Sequence, residues 1–466
     1  MADETLQDLA THTIGGGWGQ ETEDETHSVR VGVIRGTDLP RLLGGDFSSV
    51  PYRFESPSKV RTRALRVGDI VIEVAGGSAA SGQHTGRSIL ITDQILTRLG
   101  GTVIPASFCR LLRLDPAKVE PGFIVHQIAS MHLSKEIAEY ENQSTGIANF
   151  QFTRFIDTVK PLICEIREQK KIAHALDQIN LQIVELRAIN STLVAIAQTI
   201  FKSWFVDFDP VHAKARGVGP SGLSEKVAKL FPSSFEMTAL GEIPAGWQHV
   251  PFGQLLGYTI GGDWGSEDAD MKNDTRVAII RGTDIPDLKT GAGNRVPIRY
   301  TNKKKLGSRI LQDGDLVIEV SGGSKDQPTG RSLFLTTGLL DTFDCPVEPA
   351  SFCRLFRPKS EKIGLILGQH LEYIYSQGKT WEYQNQSTGI ANFQTTHFLQ
   401  VEHVVVPDGA TLDAFNSVVR PIVEGIYANI AEARTLAELR DNLLPHLVSS
   451  RIRIPEAQEL IEAIAA

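Results

Sequence analysis

The chain has 466 residues, 41% of them hydrophobic, and a formal net charge of −8. That length holds two domains of ordinary size plus connectors, and the apolar share builds packed cores and excludes wholesale disorder. There is no run of 18 apolar residues to span a membrane and no basic-then-apolar opening of a secretory signal, and the four cysteines lack metal-ligand spacing; a reducing cytoplasm is the expected compartment.

Along the chain, Val29–Ile34 and the stretches 70–74, 88–92 and 107–112 read as strands, bounded by Gly-Thr-Asp, Gly-Gly-Ser and Asp-Pro turns. Residues 124–141 read as a helix carrying Ile124, Ile128, Met131 and Leu133. The first 157 residues are therefore an α+β domain with an irregular sheet.

A different grammar begins over 158–205. Leu176, Ile179, Ile183, Leu186, Asn190, Leu193, Ala197, Ile200 and Trp204 recur at alternating steps of three and four, a heptad seam with one polar interruption. Phe201, Trp204, Phe205 and Phe208 then form a dense aromatic set, expected either to dock a partner or to close the helix against the next segment. Residues 206–246 read as a turn-rich connector leading to Gly241-Glu-Ile-Pro-Ala-Gly-Trp247, where the second domain begins.

From residue 247 the chain repeats itself. Ile14-Gly-Gly-Gly-Trp18-Gly returns as Ile260-Gly-Gly-Asp-Trp264-Gly, and Arg35-Gly-Thr-Asp38 as Arg281-Gly-Thr-Asp284. The Asn142-Gln-Ser-Thr-Gly-Ile-Ala-Asn-Phe150 nonapeptide returns unchanged from Asn385. The offset drifts only from 246 (Ile14 to Ile260) to 243 (Asn142 to Asn385). A repeat of this length is a whole domain, here 247–410, and not a solenoid unit. Residues 411–450 then carry a second seam through Phe415, Val419, Ile422, Ile426, Asn429, Ala433, Leu436, Arg440, Leu443 and Leu447, and 451–466 form a tail. Two amphipathic helices of this length most simply pair antiparallel, which predicts a spacer with the two domains at its ends, related by a pseudo-twofold axis.

The chain carries little that resembles catalysis. The Gly-Gly-Gly-Trp turn lacks the context of a dinucleotide fingerprint, and Thr85-Gly-Arg-Ser88 lacks the upstream Gly and the Lys of a phosphate loop. Asp69 and Glu73 have nuclease-like spacing but no following Lys, and read better as successive positions along a strand. No methyltransferase or HExxH-type motif occurs.

Repeated basic residues point elsewhere. Arg53, Lys59, Arg61, Arg63 and Arg66 stand where the second copy has Arg299, Lys303, Lys304, Lys305 and Arg309, beside Arg295. A cluster kept in place while its letters change is a candidate nucleic-acid surface despite the acidic total. Arg35 and Arg281 can fork onto a base or phosphate or pair with Asp38 and Asp284; Arg87 and Arg331 are further candidates. Gln143-Ser144-Thr145 and Gln386-Ser387-Thr388 offer a phosphate cradle, or a cap for a helical segment behind them.

The whole chain resembles the specificity subunit of a bacterial or archaeal type I restriction–modification system. The resemblance rests on Ser144-Thr-Gly-Ile-Ala-Asn-Phe150, Phe201-Lys-Ser-Trp-Phe-Val-Asp-Phe-Asp-Pro210, Gly241-Glu-Ile-Pro-Ala-Gly-Trp247 and Ile-Arg-Gly-Thr-Asp in both copies. It implies two target-recognition domains on an antiparallel coiled-coil ruler. It also implies double-stranded DNA as ligand, two methyltransferase subunits binding S-adenosylmethionine, and restriction subunits using ATP and Mg. The chain itself would be non-catalytic, with no cofactor or metal of its own. Its two recognition domains are near-duplicates, unusual for that family, which predicts a bipartite, near-palindromic target. Alternatives are a specificity subunit of a methylation-only or other phage-defence system, or a coiled-coil scaffold with two protein-binding heads.

Overall fold

A computed structural model describes residues 4–76, 84–144, 147–291, 295–323, 327–387 and 390–449. It divides into two compact units, Met1–Glu185 with Arg434–Ala466, and Leu186–Ala433.

In the first unit a four-stranded antiparallel sheet runs in the order Ala10–Gly15, Cys109–Leu114, Ile70–Glu73, Ser88–Leu90. Its central strand Ile70–Glu73 is buried at every residue, because alternate side chains feed two different cores. Ile70 and Ile72 pack with Leu112, Phe123, Phe150 and Phe155, whereas Val71 packs with Leu111, Ile34 and Leu39. A three-stranded sheet pairs Val29–Ile34 antiparallel to Tyr52–Glu55 and parallel to Val103–Pro105. A hairpin joins Glu141–Ser144 to Ile147–Phe150.

The second unit repeats this plan with Leu256–Gly261, Cys353–Pro358, Leu316–Glu319 and Ser332–Phe334 in one sheet. Ile298–Thr301, Thr275–Ile280 and Val347–Pro349 form the other. It adds a strand pair, Gln248–Pro251 with His403–Val406. The first unit opens instead on the short helix Leu6–Leu9, capped by Thr5 and held by Leu6 N–H donating to the Val159 carbonyl at 3.0 Å.

Several boundaries differ from the sequence reading. The strand expected over 107–112 is Cys109–Leu114, because Cys109 N–H donates back to Ala106 O at 2.8 Å and closes a turn over Ser107 and Phe108. The helix expected over 124–141 is Pro121–Leu133, followed by a 3₁₀ turn at Glu136–Tyr140. Lys135 breaks it at φ +65°, the position that Gly378 (φ +71°) holds after Glu361–Ser376 in the second unit.

The long helices are Ile166–Phe205 and Gly409–Val448, 40 residues or about 60 Å each. The first starts later than residue 158 because Phe152–Thr158 is a helix of its own and Pro161 comes after it. By length and composition alone Ile166–Phe205 could cross a membrane, but its seam is occupied by protein. In the first unit Ile172, Ala173 and Leu176 pack with Leu439, Leu443, Leu444 and Leu447. In the second, Ala197, Phe201 and Trp204 pack with Phe415, Val419, Val423 and Ile426. Ile183, Leu186 and Asn190 are also buried. Ile179, Leu193, Ile422 and Leu436 are only half-buried, and Val423 and Leu439 are buried beside the last two. In the second unit the pairing is antiparallel, with Asn429 donating to Asn190 at 2.8 Å and Trp204 meeting Phe415 at 5.9 Å; in the first, Arg440 donates to Asn180 at 2.8 Å.

The aromatic set after the seam is core, not docking surface. Phe201, Trp204 and Phe205 are almost fully buried, with Trp204 edge-on to Phe231 at 4.9 Å and Phe205 edge-on to Phe415 at 4.8 Å. The connector supplies Phe231 to the same cluster and Trp247 joins it just beyond, so these rings close the helix onto the following segment.

Candidate nucleic-acid interface

The repeated arginines that open the Arg-Gly-Thr-Asp turns are already engaged. Arg35 Nε and Nη2 fork onto Asp38 at 2.9 and 2.8 Å, and Nη2 also donates to Ser49 O at 2.6 Å. Arg281 does the same with Asp284 at 2.9 and 2.7 Å, and with Arg295 O at 2.8 Å. Burial pushes the Asp38 carboxyl up, yet the Arg35 contacts hold it below the usual carboxylate range. Arg87 forks onto buried Glu73 at 2.8 and 2.7 Å, and Arg331 onto Glu319 at 2.8 and 2.5 Å. Asp69 and Asp315 are taken by Arg113 and Arg357. All four guanidiniums thus lie on carboxylates inside their own domain, and for Arg35 and Arg281 this is the pairing with Asp38 and Asp284 that the sequence left open.

The basic clusters are built differently. Each begins with a short helix, Pro57–Arg63 or Lys303–Gly307, laid against the Gly-Gly turn. Arg63 Nε donates to Gly15 O and Arg309 Nε to Gly261 O, both at 3.0 Å. The turn has no room for a side chain, since a Cβ on Gly16 or Gly262 would lie 2.0–2.1 Å from a carbonyl oxygen of the following strand connection. Next to it Arg53 stacks on Trp18 at 4.9 Å and pairs with Glu21 at 3.2 Å. Arg299 stacks on Trp264 at 5.0 Å and pairs with Glu267 at 2.8 Å. Lys59 reaches Glu55 at 3.2 Å and Lys305 reaches Asp263 at 3.1 Å. Arg61, Lys303 and Lys304 are exposed, with no side-chain partner among the described residues.

In the second unit Lys304, Lys305 and Arg309 join Lys272, Asn273 and Asn302 around a depression of about 570 Å³. Lys272 and both tryptophans escaped the sequence reading as site residues. The signal for the tryptophans was their place in the duplicated glycine turn, whereas Lys272 is brought in by folding.

Beneath each basic helix the buried acid has changed strands. The first unit carries Glu55, Gly17 and Ile104; the second carries Thr301, Asp263 and Glu348 at the matching positions. Glu348 is fully buried with both carboxylate oxygens unpartnered, and burial together with Asp263 pushes it up to about 7.

Gln143 and Ser144 lie on the strand Glu141–Ser144, and Gln386 and Ser387 on Gln384–Ser387. Thr145 and Thr388 fall outside the described residues. The next element in each unit is a strand, Ile147–Phe150 or Ile390–Phe393, so the helix-cap alternative is withdrawn.

No family model matches the chain. The type I restriction enzyme HindI specificity subunit of Haemophilus influenzae is 26% identical over 367 residues, 69% of this chain and 76% of that one. The type I restriction enzyme MjaIX specificity subunit of Methanocaldococcus jannaschii is 24% identical over 449 residues, 94% of this chain and 92% of that one. Among solved structures, the S subunit of a type I restriction–modification system from M. genitalium covers 95% of both chains at a TM-score of 0.51 and 13% identity, which speaks to the fold. In its duplicated α+β units, its paired long helices and its match to these two relatives, the chain resembles the specificity subunits of type I restriction–modification systems.

Proposed function

We propose that the chain is the non-catalytic DNA-reading subunit of its complex, and that it reads a bipartite, near-palindromic duplex target. The carrying observation is the matched pair of basic helices, each tied by an arginine to a glycine turn and flanked by an Arg–Trp stack. Phosphate contact is assigned to Lys59, Arg61, Lys303, Lys304 and Lys305, with Arg53, Arg63, Arg299 and Arg309 shaping the surface. Recognition domains are assigned to 1–157 and 247–410, and the paired helices to a spacer that sets the distance between half-sites.

In this reading two methyltransferase subunits, which bind S-adenosylmethionine, are positioned by the chain, and restriction subunits using ATP and Mg join them in the cytoplasm. The test is methylation mapping of a host genome with and without the gene, alongside its methyltransferase. One interrupted motif modified only in its presence is the expected result. Unchanged methylation, or duplex binding indifferent to salt, would overturn the reading.

A further inference from the structure

Each unit leaves the same two aromatic residues in water. Trp18 and Trp264 are 39% and 40% exposed, and Phe108 and Phe352 are 66% and 67% exposed. Such matched exposure of large apolar rings costs solvation in both copies and calls for an occupant. In the first unit the two rings flank a pocket of about 420 Å³, to which Arg35, Thr37, Ala75 and Ala106 also contribute. The buried Glu73–Arg87 pair forms its back, and Gly36 lets the turn lie on that pair: a Cβ there would sit 2.3 Å from Glu73 Oε1.

The rings are held in place by backbone bonds made twice. Val74 N–H donates to Phe108 O at 2.8 Å and Val320 N–H to Phe352 O at 2.9 Å. Gly17 N–H donates to Pro105 O at 2.9 Å, and Asp263 N–H to Pro349 O at 3.0 Å. Of the six pocket residues named above, five are identical in the second copy, as Trp264, Arg281, Thr283, Ala350 and Phe352; Ser321 stands for Ala75. The adjoining basic helices, by contrast, differ at most positions.

The donors decide what the pocket takes. Reading guanine in the major groove requires two parallel N–H groups from one arginine edge. Arg35 has spent Nε and both hydrogens of Nη2 on Asp38 and Ser49 O, and Arg281 has spent the same atoms. Among the described residues Nη1 has no hydrogen-bond partner, and the pocket that Arg35 lines is otherwise made largely of Trp18, Phe108, Ala75, Ala106 and Thr37. A single acceptor next to a methyl group is the edge of thymine, with its O4 and C5-methyl. We infer that the Trp18–Phe108 pocket and its Trp264–Phe352 counterpart each receive the methyl edge of one thymine, the letter shared by the two half-sites.

This rests on the DNA-reading function proposed above. The test uses the chain with its methyltransferase and duplexes of the mapped motif, each thymine replaced in turn by deoxyuridine. One replacement per half-site should weaken binding roughly fourfold, the contribution of one buried methyl group. Phe108→Ala, with Phe108→Leu as the milder variant, should erase that penalty in one half-site and leave the other intact. Phe352→Ala should do the reverse, so each variant carries its own folding control. A motif without thymine, uniform tolerance of deoxyuridine, or a penalty unchanged in both variants would overturn the inference. Loss of methyltransferase association in Phe108→Ala without any deoxyuridine effect would also overturn it, in favour of a protein-docking rim. Failure of the wild-type complex to bind the duplex would instead remove the DNA-reading function itself.

Discussion

Asn190 and Asn429 meet across the helix pair of the second unit, Asn429 Nδ2 donating to Asn190 Oδ1 at 2.8 Å. Asn190 Nδ2 in turn donates to the Ile426 carbonyl at 3.1 Å. Asn190 is buried among apolar seam residues, so both its amide atoms must find partners inside the protein. The pair thus satisfies polar atoms only when these two turns face one another, and any slip of register leaves a buried amide bare.

Asn190→Ala should accordingly lower the stability of the second unit by about 1–3 kcal/mol, the cost of stranding its partner. Asn190→Leu combined with Asn429→Leu should recover or exceed wild-type melting while loosening the register. Urea unfolding of the three variants checks this; a double variant no better than the single one would mean that the pair contributes net stability.

Trp204→Ala should be among the most damaging substitutions in the spacer. Its ring is wedged against Phe231, Phe205 and Phe415, and removing a fully buried large aromatic costs about 3–5 kcal/mol. Denaturant unfolding of the full chain reads the loss. Unchanged unfolding would refute a core role.

The seam was legible in the sequence because its apolar period runs on either side of the single polar letter at Asn190, and the strands because Ile70–Ile72 and its repeat Leu316–Ile318 are short apolar runs between turns. The repeat itself made the two α+β domains visible. Side-chain commitments were not visible. The sequence leaves Arg35 two readings, a fork onto DNA or a pair with Asp38, and shows no partner for Arg87; a 3₁₀ turn and a neighbouring strand place Asp38 and Glu73. The burial of Phe201 and Trp204 depended on Phe231 and Trp247, which a turn-rich connector does not advertise.

Two buried acids in the second unit should give opposite pH responses. Burial pushes Glu402 up, but its bonds to His370, Lys379 and Tyr383 prevail and hold it at about 2. Its stabilisation is present above the ordinary glutamate value near 4.5 and is lost as pH falls toward 2. Glu348 lies at about 7, so the folded state binds its proton more tightly than the unfolded chain does. Stability is therefore lost as pH rises from about 4.5 through 7. Glu348→Gln should raise the melting temperature at about pH 8 and do little at about pH 4, while Glu402→Gln should lower it most at about pH 6–8. Parallel thermal melts across pH check both signs. Equal effects of Glu348→Gln at the acidic and alkaline ends would contradict the buried-acid reading.

The two basic helices can be exchanged without disturbing their anchors. Replacing residues 56–66 by residues 302–312 would keep Lys59, Arg63 and Leu65 in kind, so the bonds to Glu55 and to the Gly15 carbonyl survive. It would add lysines in place of Pro57 and Ser58 and remove Arg61 and Arg66. Two cations are gained and two lost. The number of phosphates neutralised stays close to constant, and the slope of log K against log salt should barely move. What changes is which positions can approach a base edge, and both domains would then present the same helix. The methylated motif should therefore become more nearly palindromic, while affinity at a given salt changes by no more than about 5- to 160-fold, the equivalent of about 1–3 kcal/mol for one altered base contact. Methylation mapping together with a salt titration separates the two effects. A motif unchanged by the exchange would assign these helices to phosphate contact alone and leave base reading to other residues. A markedly altered salt slope would show that Arg61 and Arg66 do not occupy the electrostatic role that Lys303 and Lys304 hold in the second copy.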